Sequence, residues 1–150
     1  MRVLVTGKQG QLAKQLQLDA SAAITLQALD RAQGGIRDAT DVLAAVTDFS
    51  PEVVINAAAY TAVDQAESDA EQAYAINALG AENIARACLA TNARLIHVST
   101  DFVFNGQHAQ PYQPSDAIDP LGVYGASKAA GEQRVQALMP AAIILRTAWV

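Results

Sequence analysis

The sequence predicts an α/β fold, a doubly wound parallel sheet covered by helices, on three observations. Short aliphatic runs recur at strand length, longer helical patterns separate them, and the composition is 51% hydrophobic but only 5% aromatic. Alternating strands and helices imply right-handed parallel crossovers. Few aromatics beside abundant Ala, Val, Ile and Leu suit helices packed closely on short, buried strands. At 150 residues the chain buries one sizeable core, and one domain is the expectation.

Taken in order, residues 3–5 form the first predicted strand and run into a glycine-rich turn that opens a helix over 11–18. A second strand over 24–29 precedes a helix over 41–49, and a third strand covers 53–55. Asp64 and Glu67 have the spacing of a capping box, with aspartate in place of the usual hydroxyl residue, at the start of a helix over 67–89. A fourth strand spans 95–98, a final helix 124–138 and a fifth strand 143–145. Between 104 and 120, Asn105-Gly106, Pro111, Pro114 and Pro120 exclude a regular helix and predict a loop near the site.

Composition also removes whole classes of function. The net charge of -5, with Lys and Arg scattered, provides no basic stripe for a phosphate backbone, which argues against nucleic-acid binding. Cys88 is the only cysteine, so neither an intramolecular disulfide nor a cysteine metal cage can form, and no metal site is expected. No apolar run reaches the length of a signal-peptide core or a membrane span, and the expectation is a soluble, cytoplasmic protein. At the carboxyl end an apolar stretch leads into Arg146-Thr147-Ala148-Trp149-Val150 without a closing helix, which suggests that a further lobe is missing from the chain. The oligomeric state stays open, a homodimer included.

The first strand feeds Thr6-Gly7-Lys8-Gln9-Gly10-Gln11-Leu12-Ala13. Gly7 suits a tight turn, Gly10 lets amides approach a pyrophosphate, and small Ala13 permits close helix–strand packing, the arrangement of a Rossmann-type dinucleotide site. Such a glycine pattern is weak alone and equally fits a plain strand–helix turn. Asp30, at the end of the second strand, adds context, because a carboxylate there accepts hydrogen bonds from an adenosine ribose. Arg31 follows and can pair with a 2′-phosphate, so the dipeptide is compatible with NADH, NADPH or both. Asp38 is placed to meet an adenine amino group, with Thr40 or Asp41 as the helix cap, and capping alone is nearly as good a reading. The small residues of Asn56-Ala57-Ala58-Ala59-Tyr60-Thr61 let the sheet edge approach a cofactor, or serve packing only.

Tyr124-Gly125-Ala126-Ser127-Lys128 opens the last helix. A spacing of four stacks phenol and ammonium on one face, where Lys128 can stabilise a phenolate as Tyr124 gives its proton to a carbonyl oxygen. On this reading Lys128 draws the Tyr124 pKa towards neutrality. Thr100, in Ser99-Thr100-Asp101 at the end of the fourth strand, would orient that carbonyl. The pair alone more often marks a solvated helical face, and its force comes from the glycine turn elsewhere in the chain. Asn77, a poor residue for mid-helix, either holds a water leading to Lys128 or bonds the backbone.

These residues, with the segments AAAYTAVDQAES, STDFVFNG and PLGVYGASKAAGEQ, resemble the extended short-chain dehydrogenase/reductases over essentially the whole chain. The resemblance implies reduction of the C4 ketone of dTDP-4-dehydro-L-rhamnose with NADPH or NADH, in making bacterial surface polysaccharide. It places the catalytic threonine, tyrosine and lysine on Thr100, Tyr124 and Lys128. It also places cofactor contacts on Gly10, Gln11, Leu12, Asp30, Asp38, Ala39, Ala59, Tyr60, Thr61 and Val98, beside Gly7, and substrate contacts on Thr100, Asp101 and Trp149. Phe102 and Pro114 depart from the tyrosine and glutamate usual in such chains, and Ala13 from the last glycine. Two other readings are a related nucleotide-sugar epimerase or dehydratase, and a non-catalytic NADP-binding regulatory subunit similar to that of methionine adenosyltransferase. The intact Tyr124 and Lys128 argue against the second, and STDFVF against the first.

Overall fold

The computed structural model of the chain describes residues 1–30 and 35–148. Five parallel strands, β1 Arg2–Thr6, β2 Thr25–Leu29, β3 Val53–Asn56, β4 Arg94–Thr100 and β5 Ile143–Thr147, form one sheet in the order β2-β1-β3-β4-β5. The doubly wound expectation holds. The chain steps from β1 to β2 on one side and then returns to build β3, β4 and β5 on the other, so the strand order reverses between β1 and β3. A crevice opens there at the carboxyl ends, the usual ligand position of such sheets.

Helix α1, Gln11–Asp19, covers one face, where Ala13 packs with Val3 and Val5. On the opposite face lie α2, Ala39–Phe49, then α5, Ala81–Thr91, and α6, Val123–Leu138. Their core gathers Leu4, Val54 and Leu95 from the sheet with Val42, Val46, Ile84 and Val135 from the helices. Strand alternation explains the layering: the next residues on that face are Thr6, Asn56 and His97, aligned across the sheet by register. A polar row therefore sits directly above an apolar one, at the carboxyl edge.

The helix expected over 67–89 runs as one continuous helical stretch over 70–91 with a π-helical segment inside it, and a separate short helix precedes it. The stretch is α4, Ala70–Tyr74, the π-helical segment Ala75–Gly80 and α5; the separate short helix is α3, Val63–Ala66. Glu67 follows α3 rather than opening a helix, and α3 has no side-chain cap, so the capping box does not form. The loop after residue 104 does lack regular structure. It is organised by stacking of Tyr112 between Phe104 and His108, and by Asn105 bonding Asp119 at 2.9 Å.

Candidate active site

The glycine turn has a left-handed residue at Gly7, φ +77, where an added Cβ would lie 3.0 Å from Ala57 O and Ala58. Only glycine lets β1 leave the sheet this close to the end of β3. Gly10 closes the turn by donating its N–H to Gly7 O at 2.8 Å and then caps α1 without a side chain. The first amides of α1, those of Gln11 and Leu12 among them, follow the carboxyl end of β1 and have no side-chain cap at Gly10, and such a helix start suits an anion. Asp30 directly follows β2 on the same edge. Arg31 lies outside the described residues, as does Trp149.

Asp38 itself caps α2: its Oδ1 accepts from Thr40 N at 2.8 Å and Asp41 N at 3.1 Å. The expectation that Thr40 or Asp41 does this is corrected, and α2 begins at Ala39. Three good capping residues within four positions leave the choice to tertiary packing.

After β3, Ala59, Tyr60 and Thr61 lie in a segment without regular secondary structure that follows the carboxyl end of the strand. Asn77, 1% exposed in the π-helical segment, fixes them: its Oδ1 accepts from Tyr60 N at 2.8 Å and its Nδ2 donates to Tyr60 O at 3.2 Å and to Ser127 Oγ at 2.9 Å. Ser127 Oγ in turn donates to Tyr124 O at 2.7 Å. Of the two readings of Asn77, the backbone one matches this geometry. Its amide ties the cofactor-side loop to the first turn of α6.

Tyr124 and Lys128 both lie on α6, facing the end of β4. The half-buried Tyr124 ring meets Phe102 edge to face, centroids 5.6 Å apart, and its phenol interacts with the Thr100 hydroxyl. Thr100 Oγ1 donates to Asp101 Oδ1 at 3.1 Å and accepts from Phe102 N at 3.2 Å. Lys128, 2% exposed, donates from Nζ to Val98 O at 2.6 Å. Tyr124 and Thr100 are therefore brought together, and Lys128 is anchored two residues before Thr100 on the same strand. Asp101, Phe102 and Tyr124 also line a cavity of about 470 Å³ with Val63, Glu67 and Leu121.

The electrostatics differ from the expectation in one respect. The Tyr124 pKa is raised rather than drawn to neutrality, first because burial disfavours phenolate and also because Asp101 lies nearby, with the Thr100 hydrogen bond opposing. Lys128 is itself depressed to about 8 by burial, with Glu132 pulling the other way. A buried ammonium already engaged with Val98 does not offset the desolvation of the phenol. Tyr124 is thus held as a loaded acid across neutral pH.

Sequence reasoning missed the polar row behind the site. Ala58 N donates to Thr6 Oγ1 at 3.2 Å, Thr6 Oγ1 to Asn56 Oδ1 at 2.7 Å, and Asn56 Nδ2 to His97 Nδ1 at 3.0 Å. Burial, then the Lys128 charge, lowers the His97 pKa to about 3, so the imidazole is neutral. Accepting at Nδ1 leaves the proton on Nε2, which with Ser99 Oγ is buried without a partner among the described residues. It also missed the bidentate pair of Arg146 with buried Glu132, Nε to Oε1 3.0 Å and Nη2 to Oε2 2.7 Å. Polar residues on the inward face towards the carboxyl end of β1, β3 and β4 were the available signal for the row.

The sheet and its crossovers define a Rossmann-type α/β domain, with a glycine turn at the strand-order reversal and Thr100 at the end of β4 facing Tyr124 of α6. The family model described as the RmlD substrate binding domain matches residues 1–150, and the chain belongs to that family. It is 48% identical over 155 residues to a dTDP-4-dehydrorhamnose reductase of Mycobacterium tuberculosis, covering 99% of this chain and 50% of that one. It is 43% identical to the reductase of the same name from Aggregatibacter actinomycetemcomitans, covering 99% and 51%. The crystal structure of the Bacillus anthracis dTDP-4-dehydrorhamnose reductase in complex with NADP superposes with a TM-score of 0.96 at 41% identity, over 99% of this chain and 53% of that one. The chain spans about half the length of the curated relatives it matches.

Proposed function

We propose that this chain carries the cofactor-binding and proton-transfer parts of a reductase that converts the C4 ketone of dTDP-4-dehydro-L-rhamnose to the alcohol of dTDP-L-rhamnose with NADPH or NADH, in the cytoplasm. What carries the reading is the convergence of Tyr124, Thr100 and Lys128 at the end of β4, beside a cradle that only glycine fits. The residues suit the cofactor: α1 has no side-chain cap over its first amides, which would take a pyrophosphate, Asp30 and Asp38 would meet the adenosine, and the loop 59–61 with Val98 would border the remainder. When bound, the reduced nicotinamide supplies hydride to the carbonyl carbon.

The chain's own residues do the rest. The Thr100 hydroxyl can rotate from Asp101 to donate to the ketone oxygen and fix its direction. Tyr124 gives its phenolic proton to the same oxygen as charge develops there, so the carbonyl becomes an alcohol and the phenol a phenolate. Lys128 spends one of its three donors on Val98 and keeps the others, with its charge, for the phenolate and the nicotinamide ribose. Asp101 and Trp149 complete the proposed substrate contacts.

The cradle is tested on the 150-residue chain itself by calorimetry. Asp30 rewards a free ribose hydroxyl while Arg31 offsets a 2′-phosphate, so NADPH and NADH should bind within about a hundredfold of one another, under roughly 3 kcal/mol. Gly10→Val, whose Cβ would stand 3.1 Å from Gly7 O, should remove binding of both by crowding the open amides. Unchanged affinity in that variant would dismiss the cradle.

A further inference from the structure

We propose that Glu67 is a positioning residue for the proton donor, holding the amino terminus of α6 from the wall of the substrate cavity and so setting Tyr124 against Thr100. The inference rests on the reductase reading above. Helix α6 has no cap of its own: Gly122 at the N-cap contributes no side chain, and its first turn contains no acidic residue. Open amides and the positive end of the helix dipole favour an acceptor there, best an anionic one. Glu67 provides it from 56 positions away, its Oε1 accepting from Val123 N at 2.8 Å. Gly122 makes room, since a Cβ there would stand 2.8 Å from the same oxygen.

Tyr124 is the next residue after Val123, so the bond acts one residue from the phenol-bearing Cα. The other sides of this turn are fixed by Gly125, which packs directly on the Phe102 carbonyl, and by Ser127 at the Tyr124 carbonyl. Of the groups that hold the turn, Glu67 is the exposed side chain, and it lines the cavity together with Asp101 and Tyr124. Displacements near 1 Å at a reacting group cost about a hundredfold in rate, so a modest loosening of this turn reaches the chemistry.

Two substitutions separate position from fold. Glu67→Ala removes the acceptor, whereas Glu67→Gln keeps a carbonyl oxygen for Val123 N. In the 150-residue chain, Glu67→Ala should speed hydrogen exchange at the Val123 amide and shift the Tyr124 ring signals and their titration in NMR, with NADPH affinity unchanged. In a chain completed to the length of its relatives, it should lower kcat about tenfold with little change in KM, and Glu67→Gln should restore most of the loss. A Glu67→Ala enzyme within twofold of the parent kcat, or a Glu67→Gln enzyme as slow as Glu67→Ala, overturns the proposal. If the completed parent chain itself fails to reduce the sugar, the reductase reading falls instead. The Val123 exchange and Tyr124 signals then decide Glu67 alone, and unchanged values in Glu67→Ala overturn its role.

Discussion

Replacing Tyr124 by Phe lowers kcat by at least about a hundredfold in a chain completed to the length of its relatives, while cofactor affinity stays within about twofold. The substitution keeps the ring, and with it the edge-to-face contact on Phe102 and the packing of the first turn of α6. Only the hydroxyl leaves. Hydride delivery would then build negative charge on an oxygen that Thr100 can hold by one hydrogen bond but cannot neutralise, and the proton must come from water. The raised pKa of Tyr124, set first by burial and then by Asp101, means that the parent phenol is fully protonated at neutral pH and needs no prior charging. Steady-state kinetics beside cofactor titration measures the split, and near-normal kcat in the Phe variant would dispose of Tyr124 as the donor.

Lys128→Met should damage kcat and cofactor affinity together, yet leave the folded chain at least as stable at pH 7. The reason is burial: Lys128 titrates near 8 in the folded protein against 10.5 for an ordinary lysine. A shift of that size costs roughly 3 kcal/mol when the group must stay charged. The sign follows from proton counting. Between about pH 8 and 10.5 the unfolded chain binds more protons than the folded one, so stability rises with pH across that window; below it the full cost is present. Methionine fills a similar volume without charge, and gives up only the bond to Val98 O, worth about 1.5–3 kcal/mol for a charged donor. Urea unfolding at several pH values should therefore show the rise from pH 8 to 10.5 in the parent chain and a flatter profile in the variant. The same titration should carry away reductase activity as pH rises through about 8, since the neutral amine no longer favours the phenolate. A parent profile that falls across this range, or a variant with normal cofactor affinity, would contradict the role given to Lys128.

The parts of this site that were legible in the sequence are those whose chemistry is local. Gly7 and Gly10 stand between an aliphatic strand and a helix, and the turn they make is dictated within a few residues. Tyr124 and Lys128 share a helical face by spacing alone, and Thr100 ends a strand. What escaped depends on partners far along the chain. Asn77 looked like a flaw in one long helix because its reason for being there, the Tyr60 amide and Ser127, lies 17 positions before it and 50 after it. Glu67 was recognised as a cap, but local spacing assigned it to the wrong helix, since Val123 is brought to it only by packing. The pKa of Tyr124 went in the opposite direction because burial and Asp101 are tertiary facts, whereas an i, i+4 ammonium is visible in the sequence. The buried row of Thr6, Asn56 and His97 left a polar residue in each strand as a signal, but which of them meet is decided by strand register.

The most direct measurement is a turnover of dTDP-4-dehydro-L-rhamnose by the completed chain with NADPH carrying deuterium in its transferable position. A hydride-transferring reductase of the kind proposed consumes one NADPH per sugar and leaves one deuterium on C4 of dTDP-L-rhamnose, with Tyr124 providing the hydroxyl proton. Sugar recovered without deuterium at C4, or converted with no net loss of NADPH as an epimerase would do, contradicts the account.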